Sequence, residues 1–119
     1  MTARTNGEAG EQIALDYLLK RGYALLCRNY RYGHKEIDLI VRQGERIVFV
    51  EVKARSGISY GRPAEFVDAR KRRNLIMAAE GYLSENGLTD APARFDVAEV
   101  YLPEGRVAYI EDAFGVETR

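Results

Sequence analysis

Glu36 and Asp38 are two acidic residues separated by a single apolar residue. The triplet Glu51-Val52-Lys53 begins thirteen residues after Asp38. Both groups lie in otherwise apolar stretches, where an uncompensated charge costs on the order of several kcal/mol. A cation must therefore lie among these acids. Lys53 is one candidate and a divalent cation is the other, because carboxylate oxygens suit Mg²⁺ or Mn²⁺. The metal is favoured over a plain Glu–Lys pair, since one lysine cannot neutralise three acids.

Strand geometry brings these charged side chains together. The two stretches alternate in character, which predicts strands, and residues 42–45 between them predict a hairpin with a four-residue loop. With a symmetric turn, Glu36 lies opposite Glu51 and Asp38 lies opposite Phe49. All four charged residues then share one face of the sheet, and Asp38 and Glu51 are diagonal neighbours about 7–8 Å apart or less.

The rest of the chain predicts the elements that position this hairpin. Apolar residues with a helical period predict two helices, and alternating segments predict five strands. The order is α-β-β-β-α-β-β. The long connection after the third strand allows a parallel crossover, so the fold class is α/β, a single domain with a mixed sheet flanked by helices. The predicted ranges are a helix at 7–21, strands at 23–31, 36–41 and 46–54, a loop at 56–63, a helix at 64–85, strands at 94–102 and 107–110, and flexible ends at 1–6 and 115–119.

Each helix carries one charged residue that could belong to the same site. Glu11 stands at the edge of the apolar stripe of the first helix. It either reaches the acidic cluster or only complements the helix N-terminus, as acids in a first turn commonly do. Lys71 is in line with Leu75 and Ala78 on the inward side of the second helix. It either points towards the site or belongs to a solvated basic run.

The basic residues are concentrated in the middle of the chain. The formal net charge is zero, but residues 20–73 carry fourteen basic and six acidic side chains, a net +8, whereas residues 1–19 carry −2 and residues 74–119 carry −6. Tyrosines are interleaved with these bases, which suits contacts to a phosphate backbone with occasional stacking on a base. The candidate nucleic-acid-binding residues are Arg28, Arg31, Lys35, Arg55, Arg62, Arg70, Arg72 and Arg73.

Composition excludes several other classes of protein. A length of 119 residues suits one domain, and the longest apolar runs of five residues are far below the ~20 that span a bilayer. The N-terminus lacks the apolar core of a secretory signal, so a cytoplasmic location is expected. The single Cys27 and the single His34 exclude an internal disulfide, a cysteine cluster and a multi-histidine zinc motif.

The combination of Glu36-Ile37-Asp38-Leu39-Ile40 with Phe49-Val50-Glu51-Val52-Lys53 resembles the D…(D/E)-x-K core of the restriction-endonuclease-like superfamily. More of the chain is similar to the YraN-type bacterial family, which in turn is similar to archaeal Holliday-junction resolvases. The further matching residues are Gly10-Glu11, Ala14, Tyr17-Leu18, Gly22-Tyr23, Asn29-Tyr30-Arg31, Lys71, Arg94-Phe95-Asp96-Val97 and Ala113-Phe114.

The resemblance implies a restriction-endonuclease-like fold and a site with assigned roles. Asp38 and Glu51 would be ligands of Mg²⁺ or Mn²⁺, Glu11 a helix-borne acid near the metal, and Lys53 the catalytic lysine. Glu36 and Lys71 are additional candidates. The implied activity is metal-dependent hydrolysis of DNA, selective for branched structures and carried out by a homodimer. The rivals are a non-catalytic nucleic-acid-binding or scaffold protein with the same fold, and a metal-dependent phosphatase.

Overall fold

The computed structural model describes residues 6–56 and 68–114, with the side chains of Asn6 and Ser56 excluded. The predicted loop at 56–63 and the predicted ends at 1–6 and 115–119 therefore fall almost entirely outside the described residues. The elements are α1 (Asn6–Lys20), β1 (Ala24–Tyr32), β2 (Lys35–Gln43), β3 (Arg46–Ser56), α2 (Ala69–Glu85), β4 (Ala93–Leu102) and β5 (Arg106–Phe114).

The described strands form one mixed sheet in the order β1-β2-β3-β4-β5. β1, β2 and β3 are antiparallel neighbours, β3 and β4 are parallel, and β4 and β5 are antiparallel. The parallel pair requires a crossover, and α2 lies within that crossover between β3 and β4. The predicted α/β class, mixed sheet and element order are confirmed.

Each face of the sheet is covered by one helix. Leu15 and Leu18 of α1 pack with Val48 and Val50, whereas α2 packs on the opposite face. Gly10 allows α1 to approach closely, because a Cβ at this position would lie 3.0 Å from the Cβ of Ala54. The even-numbered residues of β3 therefore face α1, and the odd-numbered residues, which include Glu51 and Lys53, face α2.

The helix boundaries follow from their caps. α1 ends in a Schellman motif, in which Gly22 adopts a φ of 89° and the amide of Tyr23 donates to the carbonyl of Leu18 at 3.1 Å. α2 begins at Ala69, because Asp68 is extended and its carboxylate accepts a hydrogen bond from the amide of Lys71 at 2.9 Å. Of the helix predicted at 64–85, residues 64–67 lie outside the described residues, and the described helix begins at Ala69. No described helix is both long enough and apolar enough to span a membrane.

The hairpin between β2 and β3 is tighter than predicted. Gln43 pairs with Arg46, so the loop is the two residues Gly44 and Glu45 rather than residues 42–45. Gly44 has a φ of 60°, as the first loop position of a type II′ turn requires. The register shifts by two residues from the predicted one, and Phe49 pairs with Ile40 instead of Asp38. Because two is the period of a strand, this shift does not by itself exchange the two faces of the hairpin.

The last strand is longer than the predicted 107–110 and contains a bulge. The register of β4 and β5 shifts between Phe95 and Val97, and Asp112 has a φ of 54°. The carboxylate of Asp96 accepts a hydrogen bond from the amide of Asp112 at 2.9 Å, which fixes the irregular backbone. Asp96 also forms an ion pair with Arg94, in which Nε of Arg94 lies 2.9 Å from Oδ1 of Asp96.

Candidate active site

Asp38 lies where β2 separates from β3. The register of the two strands runs from Gln43 back to Leu39, which pairs with Val50. At the preceding residue, Asp38, a side-chain oxygen takes the place of a backbone carbonyl as the acceptor. Oδ2 of Asp38 accepts a hydrogen bond from the amide of Val52 at 2.8 Å. The carboxylate therefore occupies the opening between the two strands and anchors β3 where backbone pairing has stopped.

Asn29 produces a matching irregularity in β1. It lies between the register pairs Arg28–Leu39 and Tyr30–Ile37, level with Asp38, and its φ is 51°. Asparagine adopts this left-handed conformation more readily than most residues. Although Ile37 and Leu39 are two residues apart, they pack in the core clusters on opposite faces of the sheet. The side chains of β2 therefore stop alternating regularly between Ile37 and Leu39. As a result, the side chain of Asp38 points into the opening between β2 and β3 instead of onto either face of the sheet.

The carboxylates of Asp38 and Glu51 line one open pocket of about 260 Å³. Glu51 is buried, with 7% of its surface exposed, and Nζ of Lys71 lies 3.0 Å from its Oε2. Glu36 also lines the pocket, so four of the residues predicted for the site meet here. The remaining lining residues are His34, Lys35, Asn74 and Leu75.

Burial and neighbouring charge raise the pKa of Asp38 to about 7. Loss of hydration is the larger cause, and the Glu51 carboxylate adds to it; Glu11 raises the pKa further, while the Val52 amide and Lys71 lower it. For Lys71, desolvation is the largest single cause and lowers the pKa, but the carboxylates of Glu51, Asp38 and Asp68 together outweigh it, so the net shift of the pKa is upwards. The site thus has more negative charge than its one paired lysine neutralises.

Glu11 and Lys53 lie outside this pocket. Both carboxylate oxygens of Glu11 accept hydrogen bonds from Nδ2 of Asn29 at 3.2 Å. Glu11 is close enough to influence the pKa of Asp38, yet no three His, Cys, Asp or Glu side chains of the described residues converge as a metal-binding group. Lys53 is half-buried on the same face as Glu51, and the cation that neutralises Glu51 is Lys71 instead.

The donor set nevertheless fits a magnesium ion. Mg²⁺ is commonly held by one or two carboxylates and completes its octahedral shell with water and substrate phosphate. Asp38 and Glu51 provide two carboxylates beside an open pocket that can admit both. A bound divalent cation would offset the excess of negative charge around Asp38 and favour its ionised form.

Comparison with known proteins identifies the family. The profile of the family described as "Uncharacterised protein family UPF0102" matches residues 10–100. The chain belongs to the UPF0102 family. A UPF0102 protein of Clostridioides difficile (strain 630) is 45% identical over 114 residues, which are 96% of this chain and 100% of that protein. A UPF0102 protein of Symbiobacterium thermophilum is 47% identical over 115 residues, 94% of this chain and 98% of that protein. The predicted YraN-type resemblance is confirmed.

Among solved structures, the UPF0102 chain is similar to Pyrococcus furiosus SfsA in complex with Ca²⁺. The similarity has a TM-score of 0.40 and a sequence identity of 17%, and it covers 89% of this chain. This chain covers 62% of the length of that protein.

The candidate nucleic-acid-binding residues of this UPF0102 chain do not form one cluster. Lys35 lines the pocket beside Asp38, and Arg31 is exposed on β1, paired in register with Glu36. Nη1 of Arg28 donates to Gln12 of α1 at 3.0 Å. Arg62 lies outside the described residues. The others are Arg55 at the end of β3 and Arg70, Arg72 and Arg73 in the first turns of α2.

Two polar residues near the site were missed from the sequence. Asn29 holds Glu11, and its tolerance of a left-handed conformation was the available signal. Glu99 is fully buried on β4 and lies beside Lys53 in the parallel register. Its signal was an acidic residue in the apolar second half of β4, residues 97–102, but the register that places it beside Lys53 is not encoded locally.

Proposed function

We propose that this protein is a metal-dependent endonuclease that hydrolyses phosphodiester bonds in DNA, with branched DNA as its preferred substrate. The observation that supports the proposal most is the pairing of the Asp38 and Glu51 carboxylates in an open pocket with an adjacent lysine. Paired carboxylates in such a pocket are suited to metal-assisted phosphoryl chemistry. The preference for branched DNA, and action as a homodimer, are proposed on the basis of the family resemblance.

We assign to these residues the roles that the family resemblance implies. Asp38 and Glu51 would hold one Mg²⁺ or Mn²⁺, with Glu11 acting on it from the α1 side. The ion would supply Lewis-acid stabilisation of the charge that develops on the phosphate. Lys53 points to the same face as Glu51 and would donate to a phosphoryl oxygen or orient the attacking water. Lys35 and Lys71 line the same pocket and would attract the DNA backbone.

A cleavage assay with labelled DNA tests this proposal. Four-way junction, flap and duplex substrates are incubated with Mg²⁺, with Mn²⁺ and with EDTA. We expect cleavage of branched DNA only with metal, and its loss in Asp38→Asn and Lys53→Met while DNA binding persists. Asp90→Asn is the matched control, because it removes an exposed carboxylate in the connection between α2 and β4. Metal-independent cleavage, or full activity of Asp38→Asn, would contradict the assigned site.

One observation favours a second function, that of a non-catalytic nucleic-acid-binding protein with a nuclease-like fold. Lys71 already provides Glu51 with a cation at 3.0 Å, and the described residues contain no group of three ligands. A thermal-shift titration with Mn²⁺ separates the two functions. A metal that binds only the folded protein raises its melting temperature. The endonuclease requires this rise and its loss in Asp38→Asn, whereas DNA binding without any metal response supports the non-catalytic protein.

A further inference from the structure

The carboxylate of Glu99 is a fully buried charge that the proposed chemistry does not use. Its side chain has 0% exposure, and each oxygen has one partner in the part of the chain that the structure describes. Nη2 of Arg55 donates to Oε2 at 3.1 Å, and the hydroxyl of Tyr101 donates to Oε1 at 3.0 Å. Burying an acid is costly unless it is paired and hydrogen-bonded, so Arg55 and Tyr101 together make this burial possible.

The two partners of this ion pair are exposed to different degrees. The Arg55 side chain retains 31% exposure although Glu99 has none. A guanidinium has five N–H donors, and Glu99 is its only hydrogen-bond partner within residues 6–56 and 68–114. Among the described residues, the other donors of this guanidinium have no acceptor that would compete with an external one. A planar guanidinium with free donors is well suited to bidentate contact with a phosphate.

The position of Arg55 relative to the carboxylate site is fixed by the strand. Glu51, Lys53 and Arg55 alternate along β3 and share the face that carries α2, so Arg55 lies about 13 Å from Glu51 along the strand. The parallel register places Lys53 beside Glu99 and Arg55 beside Tyr101. A DNA strand whose reacting phosphate lies at Asp38 and Glu51 would therefore reach Arg55 with a neighbouring phosphate.

A second arginine extends this surface beyond the basic middle of the sequence. The guanidinium carbon of Arg106 lies 4.1 Å from the centroid of the Tyr101 ring. Tyr101 thus contacts Glu99 with its hydroxyl and Arg106 with its ring. Arg106 also pairs with the exposed Glu104 at 3.6 Å, a contact that contributes little at the surface.

We infer that Glu99 and Tyr101 are positioning residues that hold Arg55 as a phosphate-binding residue beside the carboxylate site. This inference rests on the proposed action on DNA. The alternative is that Glu99 and Arg55 only stabilise the fold. The two alternatives predict different effects on DNA binding when Glu99→Gln removes the charge of this side chain and keeps its shape.

The test is DNA binding by fluorescence anisotropy in EDTA, where the proposed cleavage cannot occur, measured across a series of KCl concentrations. Glu99→Gln makes the protein more positive, so electrostatics alone would tighten binding. If Glu99 positions Arg55, binding instead weakens by about three- to tenfold, the cost of ordering one long side chain on association. Unchanged or tighter binding by a folded Glu99→Gln variant would overturn the inference.

The double variant Arg55→Gln/Glu99→Gln tests the phosphate contact itself. The single change Arg55→Gln would leave a buried carboxylate without its cation and could unfold the protein, which the double variant avoids. Loss of one phosphate contact lowers the slope of log K against log salt by about 0.7–0.9. Arg42→Gln is the matched control, because Arg42 is exposed at the opposite end of β2. We expect it to retain the wild-type slope.

The outcomes for the two proposals are distinguishable. A wild-type slope in the folded double variant would overturn the role of Arg55, even if the protein cleaves DNA. A reduced slope supports that role, even if the cleavage assay shows no nuclease activity. Wild-type protein that does not bind DNA at all would overturn both proposals.

Discussion

Asp38→Asn is expected to stabilise the protein at pH 8 in the absence of divalent metal. The asparagine oxygen can still accept the hydrogen bond from the amide of Val52, so the main structural contact of this side chain is retained. What the substitution removes is the cost of an ionised carboxyl group that is desolvated and close to Glu51. That cost is visible in the pKa of Asp38, which is raised from 3.8 to about 7.

The magnitude and sign follow from proton linkage. A carboxyl group whose pKa is raised on folding binds its proton more tightly in the folded state than in the unfolded state. Stability from Asp38 is therefore fully present below about pH 4 and is lost as the pH rises to about 7. A shift of about three pKa units corresponds to about 4 kcal/mol. We take this as the upper limit of the difference between the variant and the wild type at pH 8.

Urea unfolding at pH values from 4 to 8.5, in EDTA, measures this difference directly. Subtracting the wild-type free energy of unfolding from that of Asp38→Asn cancels the other titrating groups. The difference should grow between pH 4 and pH 7 and then level off. Asp90→Asn, which removes an exposed carboxylate far along the chain from the site, is measured alongside as the control for the loss of one negative charge. Parallel curves for the wild type and Asp38→Asn would refute the desolvated carboxylate on which the proposed metal site depends.

Glu51→Gln provides an internal check on the cause of the shift. The Glu51 carboxylate raises the pKa of Asp38, second only to desolvation. Removal of this charge should lower the pKa of Asp38 only in part, because the desolvation of Asp38 remains. The loss of stability with rising pH should therefore level off at a lower pH than in the wild type. If that pH does not change, the two carboxylates do not interact as the pocket geometry indicates.

Three further changes test the surroundings of the site. Lys71→Gln should raise the pKa of Asp38 above about 7, because Lys71 lowers it; carboxyl-carbon NMR titration measures this, and an unchanged or lower value would contradict the placement of Lys71. Gly10→Ala should destabilise the fold by roughly 1–2 kcal/mol, since the new Cβ would lie 3.0 Å from that of Ala54. A double-mutant cycle with Ala54→Gly should recover about 1 kcal/mol of this, and additive effects would show that the two residues do not touch. Asp96→Asn should cost about 3–5 kcal/mol in urea unfolding, because Arg94 would keep a buried charge without its partner. A loss below 1 kcal/mol would show that this pair is dispensable.

The face that carries the site could be predicted because it depends only on the period of the strands. The predicted hairpin loop was wrong by two residues, but a shift of two preserves strand parity. Glu51 and Lys53 therefore lie on one face as predicted, and Asp38, which points into the opening between the strands, still lines the same pocket as Glu51. The acidic pair was therefore predictable from residues close together in the sequence. The same reasoning could not reveal the opening at Asp38, which depends on the left-handed backbone of Asn29 in the neighbouring strand.

Lys71 was a candidate for the site, but the sequence could not assign a cation to each buried acid, because these pairs depend on contacts through space. Lys53 is two residues from Glu51, but alternate side chains of a strand extend parallel to each other and away from the sheet, so they need not meet. The ammonium group that lies 3.0 Å from Oε2 of Glu51 belongs to Lys71 on α2. The burial of Glu99 likewise depends on which residues of β3 and β4 pair. That register is set by packing after the crossover and not by a short turn, so local sequence does not specify it.

The buried acids also change what the zero net charge means. Glu51 and Glu99 are each paired with a base on the α2 face of the sheet, and in both pairs the base is the more exposed partner. The exposed fractions are 49% for the Lys71 side chain against 9% for Glu51, and 31% for Arg55 against 0% for Glu99. An anion that approaches this face therefore meets the ammonium and guanidinium groups before the carboxylates. These acids cancel the charge of the bases in the formal sum, but in the fold they hold the bases where a phosphate backbone can reach them.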